Sequence, residues 1–194
     1  MSRIALLLLL AAALTGPVRA QEGQFLSEQD APGAVFPDAD HFDRQDVEST
    51  PELREKMTTR LDGARPSMWE ERYAVFAASR GSSVLGRAVV VEEIGKHRPI
   101  TFIVGLKPDG TVQDVAVMAY REAYGGEVRT ARFLRQYRGK APVDPLRNGE
   151  DIKNIAGATL SVDAASRAVR KAQALAAALD QSPSSEGRVA GVTR

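Results

Sequence analysis

The sequence predicts an α+β fold: a twisted antiparallel sheet of about four strands, helices packed on one face, and a long C-terminal helix. Three observations predict it. Between Trp69 and Met118, apolar and β-branched residues alternate or cluster in short blocks, as strands do. The blocks are joined by short turns, so they read as an antiparallel meander with one face packed and the other partly wet. Ser161 to Leu179 is alanine-rich, with Val162, Ala165, Val169, Ala172 and Leu175 at three- and four-residue spacing, the pattern of a helix with a buried face.

The elements follow in order. Met1-Ser2-Arg3 is a short positive start, Ile4 to Leu14 is an unbroken apolar run of 11 residues, and Gly16-Pro17 and Val18-Arg19-Ala20 follow. This is the three-part layout of a secretory signal peptide over residues 1–20. The run is shorter than the roughly 20 apolar residues that span a bilayer. The expected product is an exported protein, soluble after cleavage near Ala20, with a bacterial periplasm as the simplest compartment. Residues 21–68 are expected as a lead-in, a short helix or loop to Glu48 and then a helix. Ser49-Thr50-Pro51-Glu52 supplies a hydroxyl cap, a first-turn proline and an early acid, and Leu53, Met57 and Leu61 mark one buried stripe. The main domain is expected over 69–180. Its strands are read at Tyr73–Ala77, Val84–Ile94, Pro99–Leu106 and Thr111–Met118, with Pro108-Asp109-Gly110 as a tight turn. Val128 to Tyr137 returns to helical spacing, Lys140 to Gly149 is a proline-containing loop, and 181–194 is a Ser-, Gly- and Pro-rich tail.

Composition excludes several functions. The chain has 194 residues, of which 43% are hydrophobic, 26% charged and 6% aromatic. Lys plus Arg number 26 and Asp plus Glu 25, a balance that argues against nucleic acid as a partner. Loss of Arg3 and Arg19 with the leader leaves 24 basic residues against 25 acidic ones. Cysteine is absent, so disulfides, thiolate metal sites, a thiol nucleophile and a lipoprotein-type anchor are excluded. His41 and His97 have no partner at helical spacing, so no histidine-based metal site is expected, which leaves only carboxylate sites open and no metal ligand assigned. There is neither a G-x-S-x-G elbow nor a phosphate-binding G-x-x-x-x-G-K-[ST] loop.

One constellation stands out: Ile155-Ala156-Gly157-Ala158-Thr159-Leu160-Ser161, directly before the long helix. It is a glycine turn that delivers two hydroxyls to a helix N-terminus, where unpaired amides and the helix dipole favour a phosphate. The plain alternative is that Thr159 or Ser161 simply caps the helix.

The wider region, from about Arg72 to Leu179, resembles the FMN-binding domain of the C subunit of sodium-pumping NADH:quinone reductase and the G subunit of the Rnf electron-transport complex. It is more similar still to stand-alone exported FMN-binding proteins. Leu85-Gly86, Ile103-Val104-Gly105 with Pro108 to Val112, Arg121 to Val128, and Ile155 to Ser161 carry the resemblance. The last of these resembles the family's Ser-Gly-Ala-Thr-x-Ser/Thr flavinylation motif. Ala156 stands where the family has Ser or Thr, and Lys153 stands near where it often has an acid, with Asp151 just upstream.

The resemblance implies FMN joined through its phosphate to Thr159. A separate flavin transferase would take FMN from FAD with a divalent metal and release AMP. It also implies a membrane-bound redox partner. Gly157, Ala158, Leu160 and Ser161 would surround the phosphate, with Lys153 and Arg147 as nearby cations. In the Glu122 to Gly126 segment, Gly125 and Gly126 would let the backbone approach the ring and Tyr124 would pack on it. Glu122 would match the family's glutamate. A plain glycine turn and a solvated acid are the alternatives for this segment. Arg129, Arg132, Arg135, Arg138 and Lys140 would form a basic stripe able to tune the flavin, or a solvated face. The expected function is an electron carrier. The rival readings are a flavin-dependent reductase of a small acceptor and a cofactor-free binding or assembly module.

Overall fold

The structure is a computed structural model. It describes residues 23–61 and 63–181. The expected leader at 1–20 lies outside the described residues, as does the expected tail beyond Gln181.

Five strands form one antiparallel sheet in chain order: β1 (His41–Glu48), β2 (Arg72–Arg80), β3 (Ser83–Ile94), β4 (Pro99–Leu106) and β5 (Val112–Tyr120). The helices are α1 (Ala31–Val35), α2 (Pro51–Thr58), α3 (Ala131–Leu134) and α4 (Thr159–Asp180). The sheet has one strand more than expected. The lead-in supplies both α1 and β1, which pairs with β2 from His41↔Ser79 to Glu48↔Arg72.

The main core lies between the sheet and α4. Val75, Val89, Val91, Phe102, Val104, Val115 and Val117 point to this side and pack with Val162, Ala165, Val169, Ala172 and Leu175 of α4. Alanines let α4 lie close to the strands, and nearly every residue from Ser161 to Ala176 is buried or half-buried. Leu53, Met57 and Leu61 close one end of this core. Thr50 starts α2 as expected, its hydroxyl accepting from Leu53 N–H at 3.3 Å.

The other face is not simply wet. Val35 and Phe36, at the end of α1, pack there with Phe76, Ala78, Ala88, Ile103 and Met118. The expectation of helices on one face therefore holds for α2, α3 and α4 but not for the five-residue α1. Gly105 explains how α1 gets so close: a Cβ there would lie 3.0 Å from Val35 Cβ and 3.1 Å from Phe36 Cε2.

The free side of β5 is covered at both ends by other segments. Phe25 N–H and Leu26 N–H donate to Met118 O, Tyr120 N–H donates to Gly23 O, and Gly139 N–H and Val112 N–H complete the pairing at the far end, to Val112 O and Lys140 O.

The expected helix at Val128–Tyr137 is broken. A 3₁₀ turn at Gly126–Arg129, α3 and a second 3₁₀ turn at Arg135–Tyr137 replace it. Thr130 is the cause. It is extended, with φ −70° and ψ 138°, and its hydroxyl accepts from Phe133 N–H at 3.3 Å, so it caps a new helix instead of continuing one.

A charge cluster is buried under the middle of α4. Lys171 and Glu93 are both fully buried, with Lys171 Nζ 2.9 Å from Glu93 Oε1 and 3.1 Å from Glu70. Glu93 Oε2 accepts from Ser67 N–H, the Ser67 hydroxyl and Arg167 Nε at 2.9, 2.6 and 3.0 Å. Glu93 Oε1 makes no hydrogen bond, so the Lys171 ammonium is the charge it faces.

Candidate functional site

The turn before α4 is built by local bonds. Gly157 adopts φ +80°, and Ala158 N–H donates to Ile155 O at 3.0 Å. Helix α4 then starts at Thr159, two residues earlier than its sequence periodicity marks. Ala158 occupies the cap position and no side chain caps the first turn. The capping alternative for Thr159 and Ser161 is thus set aside by the geometry. Val162 N–H donates to Ala158 O at 2.9 Å, which leaves the amides of Thr159, Leu160 and Ser161 without an intrahelical partner at the positive end of a 22-residue helix.

Thr159 is exposed, and its hydroxyl accepts one bond, from Asn154 Nδ2 at 3.2 Å. Ser161 is the opposite case. It is 4% exposed, and its hydroxyl lies 3.0 Å from the Tyr120 hydroxyl. Tyr120 spends its single proton on Tyr124 O, so Ser161 donates and Tyr120 accepts. Burial pushes the Tyr120 phenol up from its ordinary value.

This link brings together two segments distant in sequence. Gly125 packs against α4 at φ +81°, where an added Cβ would lie 2.9 Å from Ser161 Oγ and 3.0 Å from the Tyr120 hydroxyl. Gly125→Ala is therefore expected to cost more than about 1 kcal/mol, from the left-handed backbone and the displaced hydroxyls together. Urea denaturation measures it, and an alanine variant as stable as the parent would contradict this packing.

A cleft of about 410 Å³ opens beside Thr159's loop, within the size range of small-molecule sites. Thr130, Phe133 and Gln136 form one wall, and Lys153, Asn154 and Ile155 the other. The walls are tied together by Lys153 N–H donating to Gln136 Oε1 at 2.8 Å. Behind them, the Phe133 ring meets the Tyr137 ring edge-on at 6.0 Å, and the Tyr137 hydroxyl lies 3.0 Å from Ser166 Oγ on α4.

The remaining sequence candidates are dispersed. Leu160 and Tyr124 are exposed, at 49% and 82%, on the two segments that meet at this site. Gly126 begins the 3₁₀ turn. Lys153 is exposed and lines the cleft. Glu122 is committed to the β3–β4 turn, accepting from His97 N–H and from Arg98 N–H at 2.8 Å. Burial acts to raise its carboxyl, but the amides of His97, Arg98 and Lys96 outweigh it, and the group lies below its ordinary value.

The basic residues form no stripe. Arg138 pairs with Asp114 and Lys140 with Asp151 at 2.8 Å. Arg129 lies over the rings of Phe25 and Tyr120, at 4.6 and 5.5 Å. Arg132 alone of the set lines the cleft. Arg147 pairs with Glu150 at 3.6 Å. Asp151 likewise serves its own loop: burial acts to raise it, but Lys140 and the amides of Arg147 and Leu146 hold it low.

A larger hollow of about 750 Å³ borders Leu146 and α4. Two of its arginines are already engaged, Arg167 with Glu93 and Ile94 O and Arg170 with Asp144 O and Pro145 O. Among the described residues no group of three or more His, Asp or Glu side chains is placed to hold a metal, and no helix is long and apolar enough to cross a membrane.

The family model described as FMN-binding domain matches residues 95–174. Those residues belong to the FMN-binding domain family. The FMN-binding domain takes in β4, β5, α3, the whole Thr159 turn and most of α4, so both walls of the cleft lie inside it. The chain is a flavin-binding protein with FMN as its cofactor. Leu85-Gly86, one of the pieces that carries the sequence resemblance, lies before the matched residues. No curated protein matches the chain.

The site fits FMN. The open amides of Leu160 and Ser161 suit a phosphate, and the cleft, with Phe133 and Ile155 among its lining residues, suits a flat ring. Asn154, Phe133, Gln136 and Tyr120 escape the sequence reading. Asn154 is signalled only by lying immediately before the Ile155–Ser161 constellation, and the others carry no local signature.

Proposed function

We propose that this chain is an exported flavoprotein that carries FMN, attached through its phosphate to Thr159, and passes electrons from a membrane-bound donor to an acceptor. One observation supports it above the rest: Thr159 presents an exposed hydroxyl that caps nothing at the start of α4, and it is held by Asn154, which lines a cleft inside an FMN-binding domain. Bound FMN supplies one- and two-electron redox chemistry.

The chain's own residues do the rest. The amides of Leu160 and Ser161 and the dipole of α4 stabilise the phosphate charge. Phe133 and Ile155 exclude water from the ring, and Lys153 and Arg132 outweigh the single acid Glu127 in the cleft lining, a positive balance that favours a reduced, anionic ring. Export by the residue 1–20 leader and a periplasmic location complete the proposal. A covalent link suits that setting, because a released cofactor would be lost by dilution.

Intact mass spectrometry of the exported protein, made in a host with an active flavin transferase, tests the proposal. The expected result is a mass gain of one FMN less one water and a yellow protein. A colourless chain of unchanged mass overturns it.

A further inference from the structure

Resting on the reading of Thr159 as the attachment point, we propose that Asn154 is a positioning residue for the attachment itself: its carboxamide holds the Thr159 hydroxyl ready to attack the phosphoryl donor. Asn154 is fixed at both ends. Its Oδ1 accepts from Ile155 N–H at 2.8 Å, which locks the side chain, and its Nδ2 donates to Thr159 Oγ1 at 3.2 Å. Threonine in a helix divides between two rotamers, and with no capping bond on α4 the helix does not choose between them. Asn154 does. Its donor occupies one lone pair of Oγ1, so the hydroxyl hydrogen and the other lone pair remain for reaction.

The step balances without any change of oxidation state. The Thr159 Oγ1–P bond forms as the bond from that phosphorus to the AMP oxygen of FAD breaks. AMP leaves with the electron pair, and the hydroxyl proton passes to a base of the transferase. Asn154 neither gives nor takes a proton. It acts through Thr159, and as a neutral donor it suits the negative charge that develops on the phosphoryl oxygens, which a carboxylate would repel.

Asn154→Asp separates this role from loop-building, because aspartate keeps the acceptor for Ile155 N–H but offers no donor to Thr159. Unloaded full-length mature protein is incubated with flavin transferase, FAD and Mg²⁺, and mass gain is followed in time. The expected result is a kcat for labelling on the order of 10- to 100-fold lower, with the KM for FAD and the thermal midpoint unchanged. Asn154→Ala is expected to slow labelling to a similar extent, which separates the lost donor from the charge that aspartate brings near the phosphoryl group, and parental labelling of the alanine variant overturns the proposal. Parental labelling of Asn154→Asp overturns the proposal while leaving Thr159 as the attachment point, and so does slow labelling with an equally lowered thermal midpoint. A parent chain that takes up no flavin overturns the reading beneath it.

Discussion

Thr159→Ala is expected to abolish covalent flavin completely and to leave the fold intact. The side chain is exposed and caps nothing, and alanine is the better helix former, so the stability change should stay within about 0.5 kcal/mol. Intact mass should show the bare chain, with an unchanged circular dichroism spectrum. Thr159→Ser keeps a hydroxyl at the same atom and should still be labelled. Ser161 cannot take over in the alanine variant, because its hydroxyl is buried and given to Tyr120. Flavin remaining on Thr159→Ala would show that another hydroxyl carries it.

Lys171→Met is expected to produce the largest loss of stability, about 3–5 kcal/mol, the range for breaking a buried ion pair. The ammonium is fully buried and contacts Glu93, Glu70, Met68 O and Glu92 O. Without it, Glu93 keeps Arg167 and Ser67 at Oε2 but has no counter-charge at Oε1. The urea midpoint should fall with little change in slope. Adding Glu93→Leu should recover much of the loss, since an apolar pair removes the stranded charge. A fall below about 1 kcal/mol for the single variant, or full additivity in the double, would mean that the two charges are not coupled.

The elements legible in the sequence are those whose pattern is also their packing. β3 and β4 are β-branched because they fill the sheet's centre, and α4 is alanine-rich because it lies close on that sheet. β1 is illegible for the converse reason. In HFDRQDVE only Val47 is buried and Phe42 half-buried, so no alternation survives to be read. The break at Thr130 hides within a plausible helical spacing, because the spacing does not reveal which hydroxyl turns back to cap.

The site divides in the same way. Thr159 and the Gly125 turn are visible because each is a local feature, a glycine turn bearing hydroxyls or a pair of glycines. Lys171 looks like an ordinary helix lysine, and only the fold places it against Glu93 and Glu70. Glu122 reads as a site acid by its neighbours in sequence, yet the carboxylate goes to amides of a turn reached only through the β4–β5 pairing.

The sheet's two margins have a bearing on how other molecules can approach. β1 presents Asp43, Arg44, Asp46 and Glu48 to solvent, charges of the kind that deter strand addition. The far margin, β5, is already occupied by residues 23–26 and by Gly139 and Lys140. β-augmentation by a foreign peptide is thus discouraged at one border and obstructed at both ends of the other. For the electron relay proposed above, a visiting redox protein would be left the loops and helices rather than a sheet edge, and Tyr124 and Leu160 project from two segments that converge beside the Thr159 turn. Such a meeting leaves the hydrogen-bonded framework undisturbed, which suits an encounter that must end soon after it begins.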